Sequence, residues 1–378
     1  MISQSTENHI REEGTTMARE SYNAPLLPLS NDVINYSAFL DELIDATAKL
    51  EVYKEKLADS KLNISLFLPT LQLKEAVASL SLEGTQATLD GVLTTQAVSN
   101  TRDQAVSEFF NYYEATKRGQ NILTHEKFSN EFFFDIHSIL MNEIERRPKL
   151  VGAYRKEQNY IGRNDNSHAI TFVPPVPNAV PTLMDNLVSY INNPTDSFRP
   201  LVRTAIIHAQ FESIHPFMDG NGRVGRILIP LYLFYTNQLP SPCLFVSEAL
   251  EHNRLKYYTL LNGTRDKSDW NEWIKFFLGA VARQCDKYIQ VVSEINKLYE
   301  NHFAIACKFA KATSVMPVMN ALYKYPITTA KQLALETKLP LTSINRLLNI
   351  LVESKILYTN GKQRNRVFRY KDFLNIMI

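Results

Sequence analysis

A segment with an unusual density of reactive side chains lies just past the middle of the chain. Residues 211–226 read FESIHPFMDGNGRVGR and hold three of the chain's 12 glycines, one histidine, one aspartate and two arginines. A glycine-rich turn leading into a helix N-terminus presents backbone N–H groups to an anion without Cβ obstruction, and the helix dipole adds a favourable potential. The segment therefore predicts a phosphate-binding loop.

The charged side chains of this loop suit a nucleotide. Arg223 and Arg226 are three residues apart, so they share a helix face and can hold β- and γ-phosphates. Asp219 offers a carboxylate for Mg²⁺, and His215 can take a proton from a hydroxyl nucleophile. Together they predict a site of nucleotide transfer.

Two common nucleotide sites do not fit the surrounding sequence. Gly220, Gly222 and Gly225 satisfy GxGxxG, but that fingerprint follows a buried strand, and residues 201–212 are predicted to be helical. The GK[ST] ending of a P-loop is missing.

His208 precedes His215 by seven residues without a third ligand at zinc-like spacing, so it is interpreted as structural.

The segment from His215 to Arg226 fills every position of the motif HxFx(D/E)GNGRxxR, and in this the chain resembles Fic-domain proteins. The resemblance extends over roughly residues 23–300. It implies a helical core that transfers AMP from ATP to a Ser, Thr or Tyr hydroxyl of a protein, its own chain included, and releases pyrophosphate. ATP as substrate and Mg²⁺ as cofactor follow from the same resemblance.

The resemblance also implies a task for each residue of the loop. His215 would be the general base and Asp219 the Mg²⁺ ligand. The other positions would bind ATP and its phosphates: Gly220, Asn221, Gly222, Arg223, Val224, Gly225 and Arg226. Tyr258 resembles a residue near the adenine in relatives, and an ordinary core aromatic is an equally good interpretation of it.

An upstream motif resembles the inhibitory motif (S/T)xxxE(G/N) of these proteins. Ser79, Glu83 and Gly84 occupy its positions. The resemblance implies that Glu83 docks beside the loop, pairs with Arg226 and denies that arginine to the γ-phosphate, so the enzyme is expected to be autoinhibited. Some relatives use this glutamate to remove AMP, which leaves removal as an alternative activity.

Helical periodicity dominates the rest of the chain and predicts a mainly α fold. The predicted helices are 36–57, 71–82, 102–116, 126–144, 182–192, 198–212, 222–236, 249–262 and 270–299. Residues 154–173, closed by two prolines, predict a β-hairpin flap. The resemblance implies that this flap pairs with the target as an added strand through Ile170, Thr171 and Phe172.

The C-terminus differs in charge. Residues 301–378 carry a net charge of +9, and their pattern predicts helices 331–337 and 342–354 with strands 356–358 and 367–370, a winged helix-turn-helix. Ser343, Asn345, Arg346 and Asn349 of the second helix, with Lys362, Arg364, Arg366 and Arg369 of the wing, are candidates for DNA contact. A protein-interaction or dimerisation surface fits equally well. A nucleotide-sensing transcriptional regulator is therefore the alternative function.

Whole-chain composition sets the broad class. The 378 residues carry a net charge of only +2, which favours neither nucleic acid nor membrane. Three cysteines without CxxC spacing favour a reducing compartment, and the longest apolar run, 227–235, is too short to span a membrane. A cytoplasmic protein is expected.

The sequence predicts five parts: a disordered tail (1–22), an N-terminal helical region with the inhibitory motif (23–105), a catalytic core (106–285), a connecting helix (286–312) and the winged helix-turn-helix (313–378).

Overall fold

The computed structural model describes residues 20–30, 32–98, 104–142, 150–162, 170–362 and 366–377. Most of the predicted tail lies outside these ranges, as do the flap tip and Arg364. The helices of the described ranges are α1 (Leu40–Ala58), α2 (Ile64–Leu82), α3 (Leu89–Val98), α4 (Gln104–Leu123), α5 (Asn130–Leu140), α6 (Val180–Asn192), α7 (Pro200–Ile214), α8 (Asn221–Tyr235), α9 (Ser247–Glu251), α10 (Arg254–Asp266), α11 (Trp270–Cys307), α12 (Ala312–Lys324), α13 (Ala330–Thr337), α14 (Leu341–Glu353) and α15 (Lys371–Met377).

The fold is mainly α, as predicted, and its centre is the pair α7 and α8. Nearly every residue of α7 is buried, because α6, α8, α10 and α11 pack around it. A helix surrounded in this way needs apolar residues on all faces rather than a stripe. The loop 215–220 joins α7 to α8 and is thereby held between two buried helices.

Several predicted helices differ from the structure in their ends, as 71–82 does from Ile64–Leu82, and two differ in how the chain is divided. The predicted helix 249–262 is two helices, α9 and α10, which meet at residues 252–253. Helix α11 runs unbroken from Trp270 to Cys307 and so passes through the predicted division at 285/286. Since apolar periodicity continues through both places, the pattern alone shows neither the break nor the continuity. The division into domains stays a prediction.

Helix α2 is an element shared by the core and the C-terminus. It packs against α4 and α9 on the core side and against α12 on the other, where Thr70 Oγ1 donates to the Tyr323 carbonyl at 3.4 Å. The helix ends at Leu82 with Glu83 as its C-cap, followed by Gly84 with φ +98°. A positive φ of this kind favours glycine, and it turns the chain toward α3.

Two small sheets complete the described structure. The flap consists of β1 (Ile161–Gly162) and β2 (Ile170–Phe172), which are antiparallel. In the C-terminal segment, β3 (Ile327–Thr329), β5 (Val367–Arg369) and β4 (Tyr358–Thr359) form an antiparallel sheet in that order. Helices α13 and α14 lie between β3 and β4 in sequence. No helix among the described residues is long and apolar enough to cross a membrane.

One glycine outside the loop helps to position it. Gly152 has φ +69°, and its N–H donates to His137 Nδ1 at 3.0 Å. His137 in turn donates from Nε2 to the Asp219 carbonyl at 3.1 Å and stacks on Phe217 at 3.9 Å between ring centroids. A Cβ at residue 152 would lie 2.2 Å from Ser138 Oγ.

We expect Gly152→Ala to lower the free energy of unfolding by about 1–3 kcal/mol, because the left-handed backbone is strained for alanine. Urea denaturation measures the change. Gly263→Ala is the matched control. Its Cβ would meet only Asp269 Cβ at 3.9 Å inside α10, so it should be neutral or stabilising. Equal stability of Gly152→Ala and wild type would contradict this explanation.

Candidate active site

The loop between α7 and α8 is closed by its own side chains. His215 ends α7 with φ 50°, and Gly220 begins α8 with φ 75°, both in the left-handed region. The Asn221 amide accepts from the Phe217 N–H and donates to the Phe217 carbonyl, both at 2.8 Å. Phe217 itself is fully buried. The loop is therefore rigid before any ligand arrives.

His215 is held as a neutral imidazole with a defined tautomer. Its Nδ1–H donates to the Glu212 carbonyl at 3.2 Å, which leaves the lone pair on Nε2. Burial, the Arg265 guanidinium and Arg155 lower the pKa of His215 to about 3, against the hydrogen bond to Glu212. A neutral imidazole with a free Nε2 can accept a proton from a hydroxyl group.

Asp219 is the exposed carboxylate of the loop. Its Oδ1 accepts from the Gly220 N–H at 2.6 Å, while Oδ2 lies 3.7 Å from Arg223 Nη2 and its side chain is 56% exposed. No group of three or more His, Cys, Asp or Glu suited to a metal is found among the described residues. Mg²⁺ often binds through one carboxylate and substrate phosphates, so Asp219 fits such an ion only together with a phosphate ligand.

Arg226 is a buried cation, 2% exposed, whose partners lie on the end of α2. Its Nη2 contacts Glu83 Oε1 at 2.5 Å, and its Nε and Nη2 donate to the Ser79 hydroxyl at 2.7 Å and the Ser79 carbonyl at 3.1 Å. Burial lowers the pKa of Arg226, but Glu83, Tyr257, Tyr258 and Glu212 together hold that pKa above the usual value. The guanidinium stays charged, and its Nε and Nη2 are engaged by the end of α2.

Glu83 also contacts the second arginine of the loop. Its Oε2 lies 3.1 Å from Arg223 Nε, and Glu108 Oε2 lies 3.6 Å from Arg223 Nη1. A Cβ on Gly222 would be 2.7 Å from Arg226 Nη1 and 3.0 Å from Glu83 Oε1. The glycine is thus needed for this close approach, and one carboxylate occupies both arginines.

Tyr258 is neither free nor an ordinary core residue. Its ring is 37% exposed, and its hydroxyl donates to the Leu82 carbonyl at 3.1 Å, next to Glu83. Tyr258 therefore lies at the mouth of the loop and touches the last residue of α2.

At three of the predicted phosphate-binding positions the structure shows inward-facing or engaged groups, and phosphate binding by these residues stays a prediction. Val224 is 1% exposed and its side chain lies in the core. The carbonyl of Gly225 accepts from His208 Nδ1 at 2.9 Å, and a Cβ on Gly225 would lie 2.3 Å from Glu212 Oε1. Both polar atoms of the Asn221 side chain bind the backbone of Phe217. Val224, Gly225 and Asn221 therefore shape the loop, and the side chains of Val224 and Asn221 face the interior.

Sequence reasoning missed a buried carboxyl group that holds α2 in place. Glu75 is 3% exposed, and it accepts from the Ser247 hydroxyl, from the Ser247 N–H at 3.2 Å and from the Tyr112 hydroxyl at 3.2 Å. Burial raises its pKa to about 7. Glu75 lies four residues before Ser79 and eight before Glu83, so all three share a face of α2. Only that spacing hinted at its importance.

The flap residues divide into two kinds. Ile170 is 49% exposed at the outer end of β2, whereas Phe172 is 5% exposed and points inward. Thr171 Oγ1 donates to the Ile161 carbonyl at 3.0 Å across the hairpin. Of the three predicted docking residues, Phe172 therefore packs in the interior and Ile170 is exposed, and docking of a target on this strand stays a prediction.

The C-terminal cations are partly used within the chain. Arg369 pairs with Asp90 and donates to Thr94 Oγ1 at 2.9 Å, so it faces α3 and not the solvent side of a wing. Arg366 donates to Asn349 Oδ1 at 2.9 Å and covers the Phe368 ring at 4.9 Å. Arg369, a candidate for DNA contact, is therefore paired within the chain, which charge alone does not reveal because Asp90 is distant in sequence. DNA contact by the wing stays a prediction.

Two family models match this chain, one over the N-terminal helices and one over the core with the loop. The model of the Fic/DOC family matches residues 127–233, and that of the Fic/DOC family N-terminal region matches residues 40–121. The first contains the loop and the second contains Ser79 and Glu83. The chain belongs to the Fic/DOC family.

Curated relatives include a protein adenylyltransferase Fic of Aedes aegypti, 28% identical over 163 residues, and a probable protein adenylyltransferase of Aquifex aeolicus, 28% identical over 165 residues. Each match covers 43% of this chain. It spans 29% of the Aedes protein and 48% of the Aquifex protein.

Solved structures show the same fold. A Fic family protein from Desulfovibrio desulfuricans superposes with a TM-score of 0.59 at 20% identity, covering 92% of this chain and 98% of that one. A Fic domain containing signaling protein from Bacteroides thetaiotaomicron gives 0.54 at 17% identity, covering 67% and 97%.

The buried histidines predict how stability depends on pH. Burial lowers the pKa of His208 to about 3, against its hydrogen bond to Gly225. Because an unfolded histidine titrates near 6.5, the unfolded state binds the extra proton as the pH falls below that value, and stability is lost. Between pH 6.5 and 5.5 this amounts to about 1 kcal/mol for one histidine.

We therefore expect His208→Gln to lose about 1 kcal/mol less stability than wild type between pH 6.5 and 5.5, in urea denaturation at each pH. Glu75 and Glu212, whose pKa values burial raises to about 7, act in the opposite direction but equally in both proteins. The same pH slope in both proteins would show that His208 titrates normally.

Proposed function

We propose that this protein is an ATP-dependent protein adenylyltransferase, held inactive by Glu83. One observation supports it most. His215, a neutral base with a free Nε2, lies in the turn before α8, and Arg223 and Arg226 lie in the first two turns of that helix. The names of the curated relatives support the same activity.

The proposed reaction uses the groups of the loop in order. A target hydroxyl oxygen attacks the α-phosphorus of ATP while its proton passes to His215 Nε2. The bond from the α-phosphorus to the oxygen bridging the β-phosphate breaks, and pyrophosphate leaves. Catalysis rests on positioning and on stabilising charge by Arg223, Arg226 and the N-terminus of α8. Anionic phosphates beside His215 would raise its pKa toward the useful range.

Mg²⁺, when bound, would neutralise charge on the phosphates, with Asp219 as its protein ligand. The exposed Asp219 oxygen that faces Arg223 is the group available for it.

Glu83 blocks the proposed reaction because its carboxylate competes with the ATP phosphates for Arg223 and Arg226. An arginine that already shares a half-buried carboxylate with its neighbour must lose that contact before it can bind a phosphate. Movement of the α2 end would free Arg226 and Arg223 together. Gly84, with its positive φ, marks the point where the chain turns away from α2.

The partner of this enzyme is a protein hydroxyl presented along β2, with self-modification included. Removal of AMP through Glu83 is the alternative activity of the same site. DNA binding by the exposed face of α14, formation of a homodimer and a cytoplasmic location stay predictions.

The first test uses ATP labelled at the α- or the γ-phosphate, with Mg²⁺, cell lysate and the Glu83→Gly variant. Labelled protein is expected from the α-phosphate only. Adding His215→Ala to Glu83→Gly should reduce that label by at least about a hundredfold, because general-base catalysis contributes this much. Label from the γ-phosphate would indicate a kinase. Undiminished label without His215 would remove its assigned role.

The second test addresses autoinhibition. Glu83→Gly should transfer AMP more than about tenfold faster than wild type, since each 1.4 kcal/mol of lost docking free energy gives a factor of ten. Glu126→Gly is the matched control, an exposed carboxylate outside the helices, and should leave the rate unchanged. Equal rates of α-phosphate transfer for Glu83→Gly and wild type would refute autoinhibition.

A further inference from the structure

Arg265, in the last turn of α10, contacts the end of α7 through two nitrogens of its guanidinium group. Its Nε donates to Ser213 Oγ at 3.0 Å and its Nη2 to the Glu212 carbonyl at 2.9 Å. Its Nη1 donates to Asn262 Oδ1 at 3.1 Å within α10. Three different acceptors therefore determine the orientation of one planar side chain.

The Glu212 carbonyl is shared with the candidate base. His215 Nδ1 donates to the same oxygen at 3.2 Å. A carbonyl oxygen has two lone pairs and can accept both bonds. Arg265 and the His215 ring are thus fixed relative to each other through a single atom.

The flat face of the same guanidinium covers a residue of the flap. Arg265 Cζ lies 4.0 Å from the centroid of the Phe172 ring, a cation–π contact. Tyr22 packs on that ring at 5.5 Å, and its N–H donates to the Val173 carbonyl at 2.9 Å. The inner end of β2 therefore rests on Arg265.

We propose that Arg265 is a positioning residue that couples His215 to the flap strand β2, so that the base and the strand presenting the target hydroxyl are held as one unit. This inference deepens the proposed function and rests on it. Arg265 acts through the Glu212 carbonyl on one side and through Phe172 on the other.

The positive charge of Arg265 also acts on His215, since it favours the neutral imidazole. The cations near His215 are Arg265 from α10 and Arg155 from the segment before β1, and both contribute to lowering the pKa of His215 after burial. Burial lowers the pKa of Arg265 itself to about 10, so it stays charged near neutral pH.

Lysine cannot reproduce this arrangement. The guanidinium presents several N–H donors in a rigid plane and keeps a flat face for the aromatic ring, whereas an ammonium group is a point charge with rotatable donors. Arg265→Lys is thus expected to retain charge and part of the bonding, and Arg265→Gln to lose the charge and the contact with the ring.

The test uses the full chain with Arg265→Gln, Arg265→Lys and the matched control Lys267→Gln, which removes one exposed positive charge just beyond α10. Two readouts need no activity. The ¹⁵N shifts of the His215 ring at pH 7 report its tautomer, and hydrogen exchange of residues 170–176 reports the flap. Arg265→Gln should mix the tautomers and speed flap exchange about tenfold, with Lys267→Gln like wild type and Arg265→Lys between them.

A third readout separates positioning from nucleotide binding. In the Glu83→Gly background, Arg265→Gln should reduce AMP transfer roughly ten- to a hundredfold through kcat, because small misplacement of reacting groups is costly. The KM for ATP should stay within about twofold, since Arg265 is not among the phosphate-binding groups. A rise in the KM for ATP with unchanged kcat would overturn the proposal.

Unchanged tautomer and flap exchange in Arg265→Gln would also overturn the coupling, as would a change in only one of them. If Arg265→Gln does not fold, Arg265→Lys decides by the same two readouts. If Glu83→Gly transfers no AMP at all, the proposed function fails, and the tautomer and exchange measurements still decide whether Arg265 couples the two elements.

Discussion

The buried positive charge of Arg226 is the constraint on which the rest of the site depends. A guanidinium that is almost completely removed from water must be paired and hydrogen-bonded, or its burial is prohibitively costly. In this structure Glu83 and Ser79 satisfy it, and both belong to α2. The contact between Arg226 of α8 and the end of α2 therefore helps to fix where this N-terminal helix packs.

Several other features follow from that constraint. Gly222 has no side chain because the Arg226 guanidinium and the Glu83 carboxylate occupy the space. Glu75 and Tyr258 hold α2 at two further points, one buried beside Ser247 and one at the carbonyl of Leu82. Thr70 ties the other side of the helix to α12. Helix α2 therefore connects the Glu83 contact with the C-terminal elements.

The loop itself is preorganised by backbone carbonyls more than by side-chain pairs. Arg155 donates from Nε to the His215 carbonyl at 2.9 Å, and its N–H donates to the Pro216 carbonyl at 2.9 Å. His137 and Asn221 bind the carbonyls of Asp219 and Phe217. Each of these polar side chains is buried and engaged, as buried polar groups must be. His215 uses Nδ1 to bind the Glu212 carbonyl, and Asp219 uses Oδ1 to accept from the Gly220 N–H.

The sequence by itself determined the helical class, because periodicity is a local property of the chain. Its long motif predicted the loop chemistry, and the resemblance to Fic-domain proteins implied the pairing of Glu83 with Arg226. Tertiary structure alone decided the tasks of Glu75, Arg265 and Arg369. Their partners lie 172, 53 and 279 residues away, at Ser247, Glu212 and Asp90, and no pattern in one sequence records which distant residue a side chain will meet. It also decided that the Asn221 and Val224 side chains face inward, since a tight turn between two buried helices leaves them no other space.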